Sequence, residues 1–180
     1  SAYEKDAFVR IADCQMMLKQ YKKALNTFQK IIDLKWDYID YATLQKANLL
    51  GGMSQPKEKI SILKEFENNY PNSSYVNDAR IELADTYISR EEFQEAIAPL
   101  SKILLDKYGA SFYPLAQYKL GIVYFNLNKN VMALQTFRDL FAGYPTSNES
   151  DNAVEFVRNI FIEDQTPELF VQFMNDFGKS

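Results

Sequence analysis

Apolar residues recur along this chain at three- and four-residue spacing, with polar residues between them. In YKKALNTFQKII, residues Tyr21, Ala24, Leu25, Phe28, Ile31 and Ile32 fall at i, i+3, i+4, i+7, i+10 and i+11, one stripe along a helix. FQEAIAPLSKILL repeats the stripe with Phe93, Ala96, Ile97, Leu100, Ile103 and Leu104. NVMALQTFRDLF does so with Val131, Leu134, Phe137, Leu140 and Phe141. No segment alternates strictly, as a half-buried strand would. The pattern predicts an all-α protein of ten helices, at about 2–19, 21–35, 37–51, 55–70, 73–89, 91–107, 111–127, 129–143, 147–163 and 166–177. Helix starts are signalled by Ser54-Gln-Pro56, by Ser89 with Glu92 as a capping box, and by Thr166-Pro167-Glu168. Pro99 falls inside the sixth helix and is expected to bend it.

The breaks are periodic. YPNSSYVNDA (Tyr70 to Ala79) returns as YPTSNESDNA (Tyr144 to Ala153), with Pro71 and Pro145 separated by 74 residues. Small residues in the middle of the odd helices, Ala12, Ala47, Ala84 and Gly121, lie 35, 37 and 37 residues apart. In the even helices Ala24, Ala96 and Ala133 mark close approach at separations of 72 and 37. The 74-residue interval is therefore two periods, and Gly109 stands where the intervening copy lacks its Pro. Two helices per period predict a solenoid of helical hairpins in one continuous domain.

These residues resemble the tetratricopeptide repeat (TPR). The closest copy is Leu83-Ala84, Tyr87, Phe93, Ala96, Leu100 and Ile103, followed by Leu120-Gly121, Tyr124, Ala133, Phe137, Leu140 and Pro145. The first copy supplies Ile11-Ala12, Tyr21, Ala24, Phe28 and Ile31. In the second, Lys59 takes the usual Ala place, and in the last Arg158 replaces the small residue. The resemblance implies a right-handed superhelical solenoid of about five antiparallel hairpins, with repeats at about 2–36, 37–71, 73–108, 111–145 and 147–177. The Tyr-Pro-x-Ser connectors and the long period are similar to those of Gram-negative cell-envelope TPR proteins. Examples are the Tol-Pal-associated periplasmic protein, the outer-membrane assembly lipoprotein and the long TPR proteins of Bacteroidetes. That likeness implies docking surfaces without chemistry, and a bacterial periplasmic or envelope setting with the cytoplasm as the alternative. A start at Ser1 within a helix suggests a fragment of a longer protein.

Composition narrows the function. A net charge of −4 disfavours nucleic acid bound through a basic face, and no apolar run is long enough to span a bilayer. The chain has no histidine, so the commonest general base and zinc ligand are missing. Glu91-Glu92 and Glu163-Asp164 read as solvated helix ends, since adjacent helical residues do not face one another. The terminal DFGKS lacks both a kinase catalytic loop upstream and the first Gly of a phosphate loop. Asn72-Ser-Ser and Asn148-Glu-Ser match glycosylation sequons but read as helix caps. Cys14, the single cysteine, reads as a small buried hydrophobe, and most of the 12 Tyr and 13 Phe as core. Neither an enzyme nor a cofactor is expected.

The TPR resemblance implies that the first helix of each hairpin lines a concave groove. That face would hold Asp6, Val9, Asp13 and Met17, then Tyr41, Leu44, Gln45 and Asn48, then Asp78, Ile81, Glu82 and Asp85. Leu115, Tyr118, Lys119, Ile122 and Phe125 follow, and finally Asn152, Phe156 and Asn159. The clamp by which some TPR domains grip a chaperone's C-terminal carboxylate needs Lys, Asn and Arg. Val9, Asp13, Gln45, Asp78 and Glu82 occupy those places, and acids repel a carboxylate. The candidate contacts are Tyr41, Gln45, Asn48, Glu82, Asp85, Tyr118, Lys119, Phe125 and Asn159, facing an apolar or basic segment of a partner protein. The alternative is a purely architectural segment that spaces other domains of a longer chain, with Val9, Met16 and Met17 at one end and Phe170, Phe173 and Phe177 at the other as stacking faces.

Overall fold

The structure, a computed structural model, describes residues 2–164 and 166–177. Among these the chain forms ten α-helices and no strand: α1 Ala2–Met17, α2 Tyr21–Asp33, α3 Ile39–Gly52, α4 Pro56–Asn69, α5 Val76–Ser89, α6 Phe93–Leu105, α7 Tyr113–Asn126, α8 Asn130–Gly143, α9 Asn148–Glu163 and α10 Pro167–Asn175. A 3-10 turn, Ala110–Phe112, precedes α7, so the seventh α-helix starts later than its stripe suggests. Pro114 then sits in the first turn of α7, where a missing N–H costs nothing. The end of the DFGKS segment, from Gly178, lies outside the described residues.

The chain divides into two compact units, Ser1–Thr86 and Tyr87–Ser180. In the first, α1 packs on α2, α2 on α3 and α3 on α4; in the second, α6 packs on α7, α7 on α8, and α9 on α7, α8 and α10. The first unit buries two clusters. One joins Val9, Ala12, Ala24, Phe28, Ile31, Ala42 and Leu49; the other joins Leu44, Ala47, Leu63, Phe66, Val76 and Ala79. The second unit is centred on Phe137, Leu140, Phe141, Val157, Ile160, Phe161 and Phe173. Each large apolar side chain so enclosed contributes about 1.5–3 kcal/mol. Phe170 and Phe177 pack against this last cluster rather than standing as a bare end face. Trp36 lies inside the first unit, edge-on to Phe8 at 5.2 Å.

The period is written in the backbone as well as in the stripe. Lys19, Ser54, Glu91 and Asn128 have φ of 58°, 60°, 60° and 55°, and they recur at intervals of 35, 37 and 37 residues. At each, the next N–H reaches back five residues: Gln20 to Gln15, Gln55 to Leu50, Glu92 to Tyr87 and Lys129 to Tyr124, at 2.8, 2.9, 2.9 and 2.9 Å. The positive-φ residue itself donates to the carbonyl three residues earlier, completing a Schellman turn. The first four hairpins thus share the same turn, and none of these four uses glycine. The connectors match too. Tyr70 and Tyr144 adopt φ/ψ of −134°/60° and −138°/56°, and their carbonyls accept from Ser73 and Ser147 N–H at 3.0 and 3.1 Å.

This geometry corrects one sequence expectation. Ser89 does not cap α6; it is the last residue of α5, and the N-cap is Glu92. The Glu92 N–H that a capping box would give to Ser89 is donated to Tyr87 instead. Ser147, by contrast, is a true cap, its hydroxyl accepting from Ser150 N–H. The helix α6 runs unbroken through Pro99, whose ring is buried. Cys14 is exposed, because it falls on the polar side of α1 opposite buried Ala12.

Candidate docking surface

In the first unit the residues expected on a partner-facing surface are largely held by the protein itself. The Tyr41 hydroxyl donates to Asp13 at 2.8 Å, and its ring meets Phe28 at 6.2 Å and Tyr75 at 5.6 Å. Burial, followed by this hydrogen bond to an anion, raises the Tyr41 pKa well above the ordinary phenol value. Glu82 accepts from Lys59 at 2.5 Å, so this acid is neutralised within the protein. Burial raises the Asp78 carboxyl pKa, with Glu82 adding to the effect. Gln45, Asn48, Glu82 and Asp85 are all half-buried. Asn48 Oδ1 is enclosed without a hydrogen-bond partner.

Lys59 explains the degenerate second repeat. Its stem lies over Gly51, where an added Cβ would come 2.8 Å from Lys59 Cδ. The other repeats reverse the sizes, with Met16, Ile88 and Phe125 at the Gly51 place and Ala24, Ala96 and Ala133 at the Lys59 place. The lysine is accommodated by a glycine one helix away, and its charge by Glu82.

In the second unit, Tyr118 and Phe125 are brought together around Phe156. Ring centroids are 6.1 and 5.6 Å away, both edge-to-face, and Phe156 stacks on Phe137 at 6.1 Å. Burial raises the Tyr118 pKa, and Glu149 adds to it. Lys119 and Asn159 are half-buried on α7 and α9. Phe156 occupies in its repeat the position of Arg10, Gln45, Glu82 and Lys119 in theirs.

Three expected surface residues are core. Val9, Leu44 and Ile81 are 9%, 4% and 9% exposed. A helix packed by neighbours on two sides exposes a strip narrower than the face that spacing alone marks out. Among the described residues no cluster of His, Cys, Asp and Glu suits a metal, and no helix is long and apolar enough to cross a membrane.

The tetratricopeptide repeat family matches residues 6–34 and 115–147. Among curated proteins none matches this chain in sequence. Solved structures do match in fold. A crystal structure of MamA superposes with a TM-score of 0.77 at 17% identity, covering 97% of this chain and 90% of that one. MamA from Desulfovibrio magneticus RS-1 gives 0.72 at 10% identity, over 97% and 93%. YrrB, described as a TPR protein with an unusual peptide-binding site, gives 0.69 at 14% identity, over 93% and 81%. One tetratricopeptide repeat is thus matched in each unit, and the helical-hairpin fold is that of solved TPR structures.

Proposed function

We propose that this chain is a non-catalytic scaffold that docks segments of partner proteins on the first helices of its hairpins. The observation that carries the reading is the set of Tyr118 and Phe125 held edge-on to Phe156. Rings fixed in this way offer apolar contact at little further entropic cost. In the first unit the amides of Gln45 and Asn48 supply hydrogen bonds for a peptide backbone, beside Asp85 and the Glu82 already paired with Lys59. In the second unit Asn159 and Lys119 serve the same ends. Tyr41 contributes only the edge of its ring, since its hydroxyl serves Asp13. YrrB, with the same fold, is described by its peptide-binding site, which supports this class of role. The repeats run at about 2–36, 37–71, 73–108, 111–145 and 147–177, and the Tyr-Pro-x-Ser connectors favour a bacterial cell-envelope setting.

The test is photo-crosslinking with benzoylphenylalanine placed at Lys119 or Gln45, in extract from the source cell. A single crosslinked protein, lost when Asn159→Ala and Asn48→Ala are added to a fold verified by circular dichroism, supports docking. Diffuse crosslinking unchanged by those substitutions overturns it and leaves an architectural segment.

A further inference from the structure

We propose that the turn of the first hairpin is a separate docking site, one that takes an acidic peptide segment carrying a bulky apolar residue. Lys19, Lys22 and Lys23, with Gln20, Tyr21 and Met53, line an open depression of about 410 Å³. Tyr21 also borders a more enclosed slot of about 240 Å³, formed with Met16, Asn48, Leu49 and Gly52. Tyr21 borders both, which sets a basic mouth beside a mostly apolar slot.

The charge selects the occupant. Between Asp13 and Asp33 the chain carries no acidic residue but four lysines, in a protein whose net charge is −4. Among the described residues, Lys19, Lys22 and Lys23 are held in no ion pair, whereas Lys5, Lys59 and Arg80 are. The α2 N-terminus lies at the same place, and its Gln20 cap makes no side-chain hydrogen bond. Unpaired like charges gathered at one mouth attract an anionic partner and speed its association.

The slot decides that the partner is a peptide. A flat anionic surface would use the lysines and leave the slot idle, but a side chain fills it. Met16, Leu49 and the Tyr21 ring supply the apolar walls, and Asn48 adds an amide to the lining. A tryptophan offers both an apolar body and an N–H donor. Gly52 leaves the slot open, since an added Cβ there meets no atom within 4 Å. The site goes beyond the docking reading above and shares only Asn48 with it.

A random peptide library displayed on phage, selected on the full chain, tests the proposal. Recovered peptides are expected to place acids beside Trp, Phe or Leu. Fluorescence anisotropy of a recovered peptide is expected to show affinity falling at least about tenfold for the triple variant Lys19→Gln, Lys22→Gln, Lys23→Gln, and weakening with salt. Gly52→Leu, whose Cβ meets no atom within 4 Å, is expected to abolish binding while circular dichroism stays that of the folded chain and melting does not fall. Lys119→Glu, which tests the other surface, is expected to leave it intact. Basic or uncharged peptides, or affinity indifferent to Gly52→Leu, would overturn the proposal. So would phosphatidylserine vesicles that bind through the three lysines when no peptide does, because the mouth would then serve an anionic membrane.

Discussion

The second and fourth hairpins carry the same turn and opposite packing. In α3/α4, Gly51 faces Lys59, and the misfit of a long cationic chain is absorbed by a missing side chain and a salt bridge to Glu82. In α7/α8 the glycine is Gly121, four residues earlier in the repeat, and the group above it is the fully buried ring of Phe137. A Cβ on Gly121 would lie 2.3 Å from Phe137 Cε1, against 2.8 Å from a flexible methylene at Gly51. One glycine admits a mobile side chain and the other a fixed aromatic core. The same residue type at a helix crossing therefore carries different stability consequences, decided by whether its neighbour can move.

The largest effect follows from removing that ring. Phe137→Ala is expected to cost about 3–5 kcal/mol in urea unfolding, since it empties the centre of the second unit and removes the stack on Phe156. Gly121→Ala comes next, destabilising by about 1–3 kcal/mol even after the gain in helix propensity. Adding Phe137→Leu, the pairing seen at Ala47 and Leu63, should recover part of the loss in a double-mutant cycle. Gly51→Ala should do the reverse, stabilising by up to about 1 kcal/mol as Lys59 swings aside. Equal costs at the two glycines would break the comparison.

A smaller effect tests the first unit. Tyr41→Phe should cost about 1 kcal/mol by leaving Asp13 without its donor. Because the folded Tyr41 pKa is raised above the ordinary 10.0, its contribution is complete below about pH 10 and lost as pH rises further. The wild type should therefore lose stability above pH 10 more steeply than Tyr41→Phe, measured by thermal melting across pH 8 to 11. The smallest effect is at the turns. Glu91→Gly should stabilise by up to about 1 kcal/mol and Asn128→Gly by less, since Asn tolerates positive φ better than Glu.

Much of the candidate surface was legible as places but not as states. Spacing put Tyr118 and Phe125 on α7, yet their meeting around Phe156 depends on how α9 packs there. Tyr41 and Glu82 read as ligand contacts, but each is engaged by a residue from another hairpin, Asp13 and Lys59. The basic mouth has a sequence signal of its own, the acid-free stretch from 14 to 32. What was missing was Met53 and Gly52 from the next hairpin, which turn a run of lysines into a lined depression and slot.

The sequence by itself determined the helices and their 35- to 37-residue repeat, because amphipathic stripes and mid-helix small residues are local patterns. The tertiary structure decided the turns, the buried strip of each first helix and the pairing of charges. Tyr41 with Asp13 and Lys59 with Glu82 span 28 and 23 residues, distances at which no stripe fixes which side chains meet. Those partners are chosen by packing between hairpins, and packing also decided which glycine could yield.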